Sequence, residues 1–123
     1  LWIEPQPLIK FIEYCKITDF VVDQFKLGSF GGIMFKSLAS GTPIITYLDE
    51  KLLLKQYPQI PPVINCSNKE KIISKVKYYL DNPKEYNELS EKAIKWMKKY
   101  HSKKSTVEAQ VDVFKKTLRI KDE

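Results

Sequence analysis

The sequence predicts an α/β fold in which a parallel sheet is flanked by helices and followed by a helical C-terminal part. Three observations predict it. Short apolar runs rich in β-branched residues alternate with stretches of helical periodicity. Those runs are continuously apolar rather than alternating, as strands covered on both faces are. Beyond residue 67 the pattern becomes wholly helical.

The elements follow in order. Leu8, Phe11, Ile12 and Cys15 recur at helical spacing behind Pro5 and Pro7, where prolines are tolerated, so a helix is expected over residues 7–17. Asp19-Phe20-Val21-Val22-Asp23 is too brief for a helix and reads as a buried strand within 19–24. Lys26-Leu27-Gly28-Ser29-Phe30-Gly31-Gly32 then breaks the pattern with three glycines. Met34, Phe35, Leu38 and Ala39 give a short apolar-faced helix, stopped by Gly41 where a left-handed residue commonly ends a helix. Pro43-Ile44-Ile45-Thr46-Tyr47 is a second strand, within 43–47. Residues 48–62, with three prolines, read as irregular, and a third strand is expected at 62–66. Phe20, Val22, Ile44, Ile45, Val63 and Ile64 should then be mostly buried.

Ser67-Asn68-Lys69-Glu70 has the capping-box form, with Ser67 as the cap, and opens a helix whose apolar side carries Ile72, Ile73, Val76, Tyr79 and Leu80. Asn82-Pro83 signals another start, and Tyr86 to Tyr100 mark a helix of about five turns. A last helix is read from Val107, Val111, Phe114 and Leu118, capped by Ser102 or Ser105. Neither a repeat nor a flexible linker separates these parts, so residues 1–123 read as one domain.

The bulk numbers narrow the function classes. Hydrophobic residues make up 43% and charged ones 29%, which excludes a disordered or low-complexity chain. No apolar run reaches the ~18 residues that span a bilayer. Leu1-Trp2-Ile3-Glu4-Pro5 lacks the features of a signal peptide and reads like a strand end, and a cytoplasmic protein is expected. Cys15 and Cys66 are far apart and His101 is the only histidine, so no metal or other cofactor is expected and both thiols read as reduced core residues. Residues 1–67 hold six lysines against six acids, whereas residues 68–123 hold fifteen basic residues against nine acids. The whole net charge of +6 therefore belongs to the second part. It reads first as a solvated helical face, with peripheral contact to an anionic membrane as the alternative. Nucleic acid is not expected, because Glu85, Glu88 and Glu91 interleave with the lysines and no aromatic stacking pattern accompanies them.

Chemistry concentrates at the glycine loop. In an open parallel sheet ligands bind beyond the carboxyl ends of the strands, where the loop after Val22 falls. Gly28, Gly31 and Gly32 let a ligand approach the backbone, and the helix that follows offers unpaired N–H groups and a partial positive charge. A phosphate or diphosphate is the natural guest, although a tight turn needs the same glycines. No Gly-Lys-Ser/Thr ends the loop, so it is not a Walker loop. Trp96 reads as core packing and Trp2 as core or as the lining of a nucleobase pocket. Asp23 reads as a strand-end acid near the loop, and His101 as an exposed residue at a helix end.

Read whole, the stretch from Gly28 to Ile45 resembles the donor-site segment of the retaining glycosyltransferases with two facing Rossmann-like domains, the GT-B fold. Phe30-Gly31, Leu38-Ala39 and Gly41-Thr42-Pro43-Ile44-Ile45 keep that family's relative spacing. Thr18-Asp19-Phe20-Val21-Val22, Pro61-Pro62-Val63 and the Trp-bearing helix before Tyr100-His101-Ser102 fit as well. The resemblance implies a Rossmann-like C-terminal half that binds a nucleotide-diphosphate sugar, with Gly28, Ser29, Phe30, Gly31, Gly32 and Lys36 as the substrate-binding residues. The glycosyl group would pass to an acceptor held by an N-terminal domain of the same enzyme, which also supplies the family with acceptor groups; the basic pair for the diphosphate would lie upstream of Leu1. These 123 residues alone would then be inactive. The pattern departs at two positions: the family's paired glutamates fall on Gly28 and Lys36. Lys36 cannot accept hydrogen bonds from ribose hydroxyls, though its ammonium can meet a phosphate. A catalytically impaired binding or scaffolding module is therefore the alternative from a different class.

Overall fold

The computed structural model describes residues 4–118. Its elements run α1 (Leu8–Ile17), β1 (Val21–Val22), α2 (Gly32–Ser40), β2 (Ile44–Thr46), α3 (Glu50–Leu53), β3 (Ile64–Asn65), α4 (Lys69–Asp81), α5 (Pro83–His101) and α6 (Lys103–Leu118). The three strands form one parallel sheet in the order β1-β2-β3, with Val21 opposite Ile44, Val22 opposite Ile45, and Ile45 opposite Ile64. This is the parallel α/β arrangement that the alternating pattern predicts, with shorter strands. The ladder is extended by Val21 N–H donating to the Pro43 carbonyl and Asp23 N–H to that of Ile45, each at 3.0 Å.

Each strand has two faces, and each face has its own core. On one side Met34 and Leu38 of α2, Ile44 of β2, Leu48, Leu53 of α3, and Ala93 and Trp96 of α5 close on one another, with Val21 packed against them. On the other, Ile45, Ile64 and Cys66 lie beneath Ile72, Val76 and Tyr79 of α4, with Leu89 reaching in from α5. Continuous apolar strands follow from that double cover.

Val22 is the correction to the expected buried set, since it is 60% exposed. The row Val22, Ile45, Ile64 crosses one sheet face, and the α4 side chains cluster with the last two. No strand among the described residues pairs with the outer edge of β1. Phe20 and Val63 are half-buried and pack on the cores, whereas Ile44, Ile45 and Ile64 are fully buried.

Helix ends follow local chemistry. Gly41 terminates α2 at φ +78°, the left-handed stop expected of it, and its N–H bonds to the Leu38 and Ser37 carbonyls. At α4 the expected cap is displaced by one residue. Asn68, not Ser67, is the cap, its Oδ1 accepting from Lys71 N–H at 2.9 Å. Pro83 sits in the first turn of α5 behind Asn82, as expected, and Ser102 Oγ accepts from Ser105 N–H at 3.1 Å to start α6. The stretch expected to be irregular contains α3, capped by Asp49, whose Oδ1 accepts from Leu52 N–H at 3.1 Å. Three apolar faces are also less covered than expected: Ala39 of α2 and Ile73 and Leu80 of α4 are exposed, and α6 has no buried residue among those described.

Candidate functional site

The glycine loop leaves the carboxyl end of β1 and delivers the chain to the amino end of α2. Its shape is held by Gln24, a residue that sequence reasoning passed over. The Gln24 amide Oε1 accepts from Lys26 N–H at 2.9 Å and Leu27 N–H at 2.7 Å. Its Nε2 donates to the Ser29 carbonyl and, at 3.4 Å, to that of Tyr47. The Gln24 carbonyl in turn accepts from Tyr47 N–H at 3.1 Å and the Thr46 hydroxyl at 2.9 Å, which locks the loop to the end of β2. One amide satisfies backbone donors and acceptors together here, a role the sequence alone does not distinguish from that of any polar loop residue.

The expected substrate-binding residues divide into two groups. Gly28 and Phe30 face inward. Gly28 is buried at φ +64°, its carbonyl accepts from Asp49 N–H at 2.8 Å, and a Cβ there would lie 3.0 Å from that of Asp49. Phe30 packs edge-on against Phe35 at 5.1 Å and against Tyr57 at 5.9 Å, anchoring the loop in the larger core. Ser29 is half-buried between them.

Gly31, Gly32 and Lys36 face outward and gather at the amino end of α2. Gly31 is the cap residue at φ −111°, makes no side-chain cap bond, and has nothing within 4 Å of where a Cβ would stand. The first turn of α2 carries no acid. Lys36, one turn on, reaches back so that its ammonium lies 3.5 Å from a Cβ built at Gly32 and 5.5 Å from the centre of the Phe11 ring. A cation is thus held at the end of a helix where the dipole is already positive, which is unfavourable until an anion joins them. Asp23, at the end of β1, buries its Oδ2 without a hydrogen-bond partner.

Comparison with family models, characterised proteins and solved structures finds no match to this chain.

The remaining candidates resolve individually. Trp96 is core, as expected, and its Nε1 donates to the Gln59 carbonyl at 2.9 Å. His101 is not the exposed helix-end residue expected: its ring lies against Phe35, Trp96 and Tyr57, and burial pushes its pKa below the ordinary value. Trp2 lies outside the described residues. Cys15 and Cys66 are buried free thiols. Burial raises both their pKa values, against smaller downward pulls from Lys36 on Cys15 and from Lys75 and Lys71 on Cys66. Among the described residues no cluster of His, Cys, Asp or Glu could hold a metal, and no helix is long and apolar enough to cross a membrane.

Proposed function

We propose that this chain is the Rossmann-like donor-binding half of a retaining glycosyltransferase of the GT-B kind, and that it holds the diphosphate of a nucleotide-activated sugar at the amino end of α2. The observation that carries the proposal is the open end itself. Gly31 leaves the approach clear and α2 has no side-chain cap or first-turn acid. The Lys36 ammonium completes a cationic corner there. Backbone N–H groups and the helix dipole favour an anion at such an end by about 0.3–1 kcal/mol, up to ~2 kcal/mol when partly buried. Lys36 takes up the phosphate charge where the resembled family has a ribose-binding carboxylate.

Calorimetric titration with uridine diphosphate tests this through two variants. Gly31→Asp places a carboxylate in the open approach, and binding should weaken at least about tenfold, a loss of about 1.4 kcal/mol. Lys36→Glu should also weaken binding, because it replaces an attraction with a repulsion. Unchanged binding by folded Gly31→Asp would remove the loop as the site. Tighter binding by Lys36→Glu would show that ribose, not phosphate, is the neighbour of that position.

One observation favours a module that binds without transferring sugar. The position of the family's first glutamate is Gly28, where left-handed backbone and the close Asp49 Cβ leave no unstrained room for a side chain. On this second reading nothing grips the donor sugar, so uridine diphosphate and its sugar ester should bind equally. Clearly tighter binding of the sugar ester would favour the transferase.

A further inference from the structure

The junction between α5 and α6 holds the chain's single histidine, half-buried, against an aromatic cluster whose Phe35 and Tyr57 also anchor the glycine loop through Phe30. The His101 ring centre is 4.6 Å from that of Phe35 on α2, 5.0 Å from Trp96 on α5, and 5.7 Å from Tyr57 in the segment after α3. Its Nε2 is buried with no hydrogen-bond partner, and so is the hydroxyl of neighbouring Tyr100. His101 is the last residue of α5, and Ser102, in extended conformation, turns the chain into α6. α6 has no buried residue among those described, and its Ser105, Thr106, Ala109 and Gln110 share an open groove with Tyr100 and His101.

We infer that His101 is a proton-sensitive latch: its neutral ring docks the α5–α6 junction into the aromatic enclosure, and protonation expels the ring and frees α6 to reorient. An imidazolium needs a partner for each N–H, and the buried Nε2 has none. The groups surrounding the ring supply no compensating negative charge. From α2 comes Phe35, with the adjacent Lys36 ammonium turned toward Phe11. After α3 comes the phenol of Tyr57. From α5 come Trp96 and Tyr100, with the exposed Lys99 lying 5.0 Å over the Tyr100 ring. The first turn of α6 carries Lys103 and Lys104 and no acid, and Glu108 is paired with Lys104 at 3.8 Å. Loss of water opposes protonation, and burial accordingly lowers the pKa of the ring.

The sign of the linkage follows. Above the ordinary histidine value near 6.5 both folded and unfolded chains hold a neutral ring, and pH has no effect through it. As pH falls through that value the unfolded chain takes up the proton first, so the docked state loses stability until the lower folded value is passed.

A single histidine makes the test direct. In the 123-residue chain the imidazole proton resonances should titrate with a midpoint below 6.5. The amide resonances of residues 103–106 should move with the same midpoint. In a Trp2→Phe chain, which leaves Trp96 as the only tryptophan, indole emission should change over the same range. His101→Gln and His101→Phe should remove the pH dependence at residues 103–106, and the wild-type titration decides the matter should either variant fail to fold. A midpoint at or above 6.5 would overturn the latch. So would a low midpoint unaccompanied by any change at residues 103–106 or at Trp96.

Discussion

Two glycines of one loop carry opposite duties. Gly28 stands at φ +64° where a Cβ would lie only 3.0 Å from that of Asp49, whereas Gly31 has an ordinary negative φ and open surroundings. Gly28→Ala should therefore cost about 1–2 kcal/mol for the left-handed backbone alone, measured by chemical denaturation. Gly31→Asp should change stability by under about 1 kcal/mol, since the new carboxylate sits favourably at a helix amino end. Equal losses in the two variants would contradict this division. From the residues alone the three glycines were indistinguishable; only the packing of Asp49 and Tyr47 around Gly28 separates turn from opening.

At the scale of elements, the amino end of α4 offers a clean comparison. Asn68→Ala removes the side chain that accepts from Lys71 N–H and should destabilise the chain by about 1 kcal/mol, while Ser67→Ala should be nearly neutral. The reverse ranking in denaturant melts would restore the capping box at Ser67. Such one-residue displacements arise because Ser and Asn are equally good caps in sequence, and the turn that leads into the helix decides between them. Much of the element order was legible for a physical reason: Val21, Ile44-Ile45 and Ile64 are apolar because helices cover them, and Gly41 is glycine because φ +78° demands it. What was not legible depends on neighbours distant in the chain. Val22 carries the apolar signature of its row, yet α4 packs only on Ile45 and Ile64. Gln24 looks like any polar loop residue until its amide meets Ser29 and Tyr47. His101 follows a lysine-rich helix but packs on Phe35, 66 positions earlier.

The molecule as a whole carries +6, all of it from residues 68–123. Lys92 with Glu88, Lys95 with Glu91, and Lys104 with Glu108 form exposed pairs four residues apart, the pattern of solvated helix faces, each worth about 0.3–0.5 kcal/mol. The chain should accordingly sediment only weakly with acidic phospholipid vesicles at low salt and be released as salt rises. Strong binding that survives high salt would point instead to insertion of the exposed Val107, Val113, Phe114 and Leu118 of α6. A membrane or nucleic-acid surface would recruit the lysine-rich half, whereas a nucleotide would recruit the loop, and this contrast isolates the central claim. Uridine and guanosine diphosphates titrated into the isotopically labelled chain, with every amide resonance followed, should produce saturable shifts concentrated at residues 28–36. Shifts scattered over residues 68–118 that fade with salt, or none at the loop at saturating nucleotide, would contradict it.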